Sequence, residues 1–167
     1  MSTIWRQHAT PLGPMVLAAA PDGLLGAWFE DQAYFAGVAA GWYEDAANSL
    51  LGEAAAQLDA WFAGRQCRFD LPLAPRGTPF QRAVWEQIAG IGHGQTRAYG
   101  TVAAALGKSG AARAVGAATG RNPLSIIVPC HRLLGHRGAL TGYAGGLHRK
   151  RALLAFEAGN SPLALAG

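Results

Sequence analysis

Cysteine is scarce in this chain of 167 residues: Cys67 and Cys130 are the two, far apart and not in a CxxC pair. Their spacing excludes a disulfide framework and a cysteine-based zinc site. Charge is scarce as well, at 14% of residues against 50% hydrophobic, which excludes a disordered or coiled-coil chain. Long apolar runs are missing. The longest weakly polar stretch, Ala33 to Tyr43, is too short and too interrupted by glycine to span a bilayer, and the opening Met-Ser-Thr-Ile-Trp-Arg lacks the basic start and apolar run of a secretory signal. A cytoplasmic protein with no membrane partner is expected. His8, His93, His136 and His148 lack ligand spacing and are expected at the surface or in turns, and no metal is expected. No internal repeat is evident.

Acids are missing from the second part of the chain. Residues 1 to 70 carry a net charge of −5, the remainder +9, with Glu86 and Glu157 as its acids. One acidic and one basic part fit a molecule that turns one lobe toward a polyanion, or one whose second lobe merely has a basic, soluble surface.

The turn residues divide the chain. Met15 to Ala20 and Leu24 to Phe29 are apolar runs around Pro21-Asp22-Gly23, which reads as a β-hairpin. Leu51, Ala55, Leu58 and Phe62 recur at helical spacing, with Ser49 as N-cap and Gly64 as the stop, and Cys67 to Leu71 reads as a short strand. Pro72, Pro75 and Gly77 break both patterns where the charge changes sign, so a linker is expected there, between a variable lobe at 1–75 and a second domain at 76–167.

The second domain opens on Thr78-Pro79-Phe80-Gln81, a capping box with Pro at the first helical position, followed by the stripe Phe80, Val84, Ile88 and the stops Gly90 and Gly92. Helices near 100–106 and 110–119, joined by Gly107-Lys108-Ser109, have helix-turn-helix spacing. The fold class is thus α+β: a hairpin, sheet and helix in the first lobe, and a mostly helical second lobe containing the helix-turn-helix. The later of those helices surrounds Arg113 with Ala111, Ala112, Ala114, Gly116, Ala117 and Ala118. Such a helix can lie close in a groove while one long cation reaches into a base stack, or it can pack on a neighbouring helix with Arg113 solvated.

Leu124 to Val128 has the character of a buried strand that Pro129 must end, which puts Cys130 at the mouth of a core. A thiol there is a nucleophile only when ionised, and an adjacent His oriented by a carboxylate can take its proton. The alternative is an inert buried thiol. Cys67, with nothing basic paired to it in sequence, reads as structural.

The run Ser125-Ile126-Ile127-Val128-Pro129-Cys130-His131-Arg132, with Arg113-Ala114-Val115-Gly116 and Asn122-Pro123 before it and Thr141-Gly142-Tyr143-Ala144-Gly145-Gly146-Leu147 after it, closely resembles the O6-alkylguanine-DNA alkyltransferases, also called methylated-DNA-protein-cysteine methyltransferases. The likeness runs from Gly77 to Glu157, and Thr10 to Pro14 with Asp22-Gly23-Leu24 is similar to that family's first lobe. It implies a small form without the zinc ligands or the phosphotriester domain of some relatives, working as a monomer and without a cofactor. It implies direct, irreversible, once-only transfer of the alkyl group from O6-alkylguanine, and from O4-alkylthymine, in double-stranded DNA to Cys130. His131 would act through a water as the base, Glu157 would orient it, and Tyr99 would offer its hydroxyl to the guanine while crowding the flanking phosphate. Tyr143 would line the pocket for the extruded base, with Leu133 and Ala144 on its walls and Asn122 bracing the turn before the cysteine. Arg113 would fill the hole left in the duplex, while Ala111, Ala112, Ala114 and Gly116 sit in the minor groove. A methyl carbon offers no carbonyl to polarise, so the chemistry needs an aligned thiolate and a proton donor, a role a protonated tyrosine can fill.

Three residues depart from the pattern: Leu133 where Val is usual, Ala98 where Ser or Thr commonly caps the next helix, and Ala144 where some members have Ser, leaving its backbone amide as the available donor. Two other classes stand beside the transferase. An alkyltransferase-like protein would bind the alkylated base without transfer, but those proteins replace the cysteine. A Cys-His-Glu hydrolase would need an oxyanion hole and an acyl pocket.

Overall fold

The computed structural model describes residues 2–159. Its first lobe is a four-stranded sheet in the order β3-β2-β1-β4, built from β1 (Ile4–His8), β2 (Met15–Ala20), β3 (Gly23–Phe29) and β4 (Tyr43–Glu44). β1–β2 and β2–β3 are antiparallel and β1–β4 is parallel. The predicted hairpin is β2–β3. Its turn needs Gly23 at φ +147°, where a side chain would meet the Pro72 carbonyl at 2.7 Å.

Helix α1 (Ser49–Phe62) packs on this sheet through Leu51, Ala54, Leu58 and Trp61, all fully buried. Its cap is Asn48, whose side chain accepts from the Leu51 amide at 3.0 Å, so the expected cap Ser49 is instead the first helical residue. The segment Cys67 to Leu71 is not a strand. The Gln57 side chain bonds both the amide and the carbonyl of Asp70, at 2.8 and 2.9 Å, and satisfies that backbone without a partner strand.

The second lobe starts with α2 (Pro79–Ala89), capped by the predicted box: the Thr78 hydroxyl accepts from the Gln81 amide and the Gln81 side chain accepts from the Thr78 amide. A short parallel pair, β5 (Arg97–Ala98) with β6 (Leu133–Leu134), brackets α3 (Tyr99–Ala105) and α4 (Ala112–Gly120), the expected helix-turn-helix. The Trp85 indole donates to the Ala118 carbonyl at 2.9 Å and fixes the end of α4. α5 (Leu147–Glu157) closes the described chain.

The two lobes join along the free edge of β3. Leu24 pairs with the linker at Pro72 and Ala74, and Ala27 pairs with Pro123 and Ser125, each at 2.8–2.9 Å. Coil from the second lobe thereby covers an edge that would otherwise stay open. Arg149 of α5 adds a tie, bonding Asp31 at 2.7 Å and the Leu12 carbonyl at 2.8 Å while stacking on Phe29.

Candidate active site

Cys130 opens a single 3-10 turn, Cys130–Arg132, and is 3% exposed. The preceding 124–128 segment is not the expected strand. Leu124 makes one isolated bridge to Ala27, and Ile126, buried and β-branched, is turned to φ +73°, an unfavourable conformation that a surrounding structure must enforce. Asn122 enforces it: its side chain accepts from the Leu124 amide at 3.0 Å and donates to the Val128 carbonyl at 2.9 Å. Asn122 therefore braces the turn from beneath and does not line the cavity in front of the thiol.

Behind the cysteine lies a buried polar cluster. His131 Nε2 bonds Glu157 Oε2 at 2.9 Å, and Arg132 bonds both Glu157 oxygens at 2.6–3.1 Å and the Ile91 carbonyl at 2.5 Å. Burial pushes the Glu157 carboxyl up, but the hydrogen bonds and charges of His131 and Arg132 outweigh it and hold the group at about 2. Glu157 is thus a fixed negative charge. Burial pushes His131 down and Cys130 up, toward the neutral pair, whereas Glu157 on the imidazole, and Asn122 and the Lys150 charge on the thiol, pull toward the ionised pair.

Two members of this cluster were not singled out from the sequence. Arg132, quoted in the sequence only as the end of the Ser125 to Arg132 run, and Lys150, not discussed there, are 6% and 0% exposed. Lys150 stands two helical turns before Glu157 on α5 and so on the same face, donating to the Thr141 carbonyl at 2.8 Å and lying over the Tyr99 ring. The signal available was the spacing of Lys150 and Glu157, seven apart. His93 lies in a turn, as expected, with its ring directed inward. Its Nδ1 is 3.8 Å from Glu157 Oε2, and its ring packs on Trp61 and Phe156. His8 pairs with the exposed Asp59 at 2.8 Å. Cys67 is exposed rather than structural packing.

In front of the thiol is a largely apolar cavity of about 740 Å³, lined by Cys130, Tyr99, Tyr143, Ala144, Arg113 and Gly116 among others. Ala112 also reaches it, whereas Ala111 and Ala114, expected with it, do not line it. Leu133, expected as a wall, is fully buried in the core and does not line it. Arg113 and Ala114 are exposed on α4, whose buried face is Val115, Ala118 and Thr119. Burial raises Tyr99 and Tyr143 above the ordinary phenol range, so both hydroxyls stay protonated at neutral pH. Among the described residues, His131 Nδ1 and the Tyr143 hydroxyl find no hydrogen-bond partner. Ala98 stands at the N-cap of α3, with no side-chain cap bond among those residues. The described residues contain no cluster of His, Cys, Asp and Glu fit to hold a metal, and no helix long and apolar enough to cross a membrane.

Two family models match: residues 4–75 fit the 6-O-methylguanine DNA methyltransferase ribonuclease-like domain, and residues 79–159 its DNA binding domain. The chain is 45% identical over 161 residues to a methylated-DNA–protein-cysteine methyltransferase of Mycolicibacterium paratuberculosis, covering 96% of each. It is 45% identical over 151 residues to the protein of that name from Methanosarcina barkeri, covering 90% of this chain and 94% of that one. Its fold matches Mycobacterium tuberculosis OGT, crystallised in complex with DNA, with a TM-score of 0.88 at 43% identity over 95% of both chains.

Proposed function

The chain belongs to the methylated-DNA–protein-cysteine methyltransferase family, and from that premise we propose that Cys130 is the residue that takes the alkyl group. The protein repairs DNA directly, moving the alkyl group of O6-alkylguanine to one of its own cysteines; its partner is alkylated double-stranded DNA. The observation that carries the residue assignment is Cys130 at the floor of an apolar cavity, with a buried His131–Glu157 pair directly behind it.

In this reading His131, polarised by Glu157, accepts the thiol proton at Nδ1, directly or through a water. The Sγ–carbon bond forms as the O6–carbon bond breaks, and its electron pair goes to the guanine. Tyr99 donates a proton to the departing base, and the proton held on His131 restores the tyrosine, so the thiol hydrogen ends on guanine and no redox partner is needed. Tyr143 and the Ala144 backbone hold the flipped base. Arg113 occupies its place in the stack, and the small residues of α4 face the minor groove. The split into a first lobe, 1–75, and a transfer lobe, 76–167, a cytoplasmic location, and action on O4-alkylthymine belong to the same proposal. Cys130 itself, with relatives named as methyltransferases, speaks against an alkyltransferase-like protein that binds without transfer.

Mixing the protein with a duplex bearing O6-alkylguanine should add one alkyl group per molecule, on the peptide containing Cys130, with no turnover. Restored guanine with an unmodified Cys130 would overturn the assignment.

A further inference from the structure

Tyr34 comes from the first lobe, yet it lines the same cavity as Cys130, Tyr99 and Tyr143. It is a large aromatic residue left 67% exposed, and its backbone is in the left-handed region at φ +65°. A non-glycine residue persists there only when its surroundings hold it, and such outliers gather at functional sites. The surroundings do hold it. The neighbouring Ala33 amide donates to the Ala144 carbonyl at 2.8 Å, tying this loop to the segment that follows Tyr143. The Arg121 guanidinium lies over the ring, 3.9 Å from its centroid, and a methyl group on Gly120 would stand in ordinary contact with the ring edge, at 3.6 Å. One ring face is therefore covered by the cation, and the exposure comes from the rest.

The cavity has room for more than a base. At about 740 Å³ it falls within the range of roughly 300–1,000 Å³ typical of sites that enclose drug-sized molecules, well beyond a purine with one methyl group. Its walls are mainly apolar. We propose that Tyr34 is a specificity-determining residue of the transfer site, its open ring face stacking on bulky aromatic substituents carried on O6 of the flipped guanine. This rests on the reading above that Cys130 takes the alkyl group. It adds a contribution of the first lobe to the choice among O6 substituents.

The test compares single-turnover transfer to Cys130 from duplexes bearing O6-methylguanine and O6-benzylguanine. Tyr34→Gly removes the ring and suits the left-handed backbone, so the loop keeps its path. The benzyl-to-methyl rate ratio should fall by about fivefold, the size of one aromatic stacking contact, and Tyr34→Phe should restore it. A merely structural role for the loop would slow both substrates together and leave the ratio unchanged, which overturns the proposal. A ratio that rises would make Tyr34 a steric gate and overturn it too, as would failure of Phe to restore it. If the wild-type protein alkylates Cys130 with neither duplex, the reading of Cys130 fails, and the role of Tyr34 falls with it.

Discussion

The two sides of Cys130 are built in opposite ways. Behind it, Glu157 accepts from His131 and Arg132, Arg132 also reaches the Ile91 carbonyl, and every one of these side chains is buried. In front, Tyr143 has an unpaired hydroxyl, α3 begins on an uncapped Ala98, Arg113 stands exposed, and α4 shows alanines to solvent. A buried network that binds Glu157 several times over fixes its protonation and orientation, because each bond removes an alternative, and it leaves His131 Nδ1 open. An under-bonded wall keeps its donors and its surface for a partner. The difference teaches where a substitution should act: changes behind the thiol should cost rate and stability together, and changes in front should alter recognition while leaving the fold alone.

The largest effect is at the junction of the two sides. Cys130→Ser should abolish transfer, since an un-ionised hydroxyl is a far weaker nucleophile than a thiolate, yet keep binding to alkylated duplex, because neither wall is touched. Mass spectrometry for the alkyl adduct, with a binding assay alongside, checks both halves. Alkylated protein recovered from this variant would make another residue, Cys67 first, the acceptor.

Next is the rear wall. Glu157→Gln leaves the Arg132 charge buried without its counter-ion, which should cost about 3–5 kcal/mol of stability, and it should slow transfer by about 100-fold as His131 loses its polarising partner. Acid should expose the same difference. The Glu157 carboxyl is held at about 2 against an ordinary 4.5, so its stabilisation is complete above pH 4.5 and is lost as pH falls toward 2. His131, lowered by burial, contributes above its ordinary 6.5 and loses that contribution below it, with the same sign. Melting temperatures from pH 7 down to 3 should therefore drop more steeply for the wild type than for Glu157→Gln. Parallel curves would show that Glu157 does not carry the acid dependence.

That contrast also governed what could be read from the sequence. The elements with local signals were legible: Pro21-Asp22-Gly23 for the hairpin, Thr78 and Gln81 for the capping box, glycines around a run of alanines for the helix-turn-helix whose α4 forms part of the front. At the rear, His131 beside Cys130 is a local mark, but the burial of Arg132 and Lys150 has none. Arg132 and Lys150 look solvated until folding brings Glu157 and the Thr141 carbonyl to them. Leu124 to Val128 has a strand's composition, but Asn122 takes up its backbone groups and bends it at Ile126, a tertiary choice that periodicity cannot carry. Gln57 does the same to the segment ending at Leu71.

On the front wall, Arg113→Ala should slow repair in duplex DNA by about tenfold, the cost of an unfilled stack when a base is extruded, while reaction with the free O6-alkylated base changes little and the melting temperature stays put. Equal losses on duplex and free base would place Arg113 in the support of the pocket instead. Affinity for duplex should also fall with added salt, and neutralising Arg6, Arg65 or Arg68 of the acidic first lobe should leave that slope unchanged.

The smallest effect sharpens the comparison from the other direction. Ala98 holds the N-cap position of α3 with extended backbone, φ −84° and ψ 151°, the conformation in which a Ser side chain can accept from an amide of the first turn. Nothing among the described residues supplies that bond, and Ala98 is half-buried at the edge of the cavity, where one added hydroxyl oxygen fits without disturbing the core. Ala98→Ser should then stabilise the protein by about 1 kcal/mol, a rise in melting temperature of about 2–4 °C for a chain of this size. Because the bond would tighten the turn that begins at Tyr99, the same variant should hold that tyrosine more firmly and leave transfer at least as fast. A stability gain accompanied by slower transfer would mean that the front wall works by yielding, and that its missing bonds are part of how the flipped base gets in.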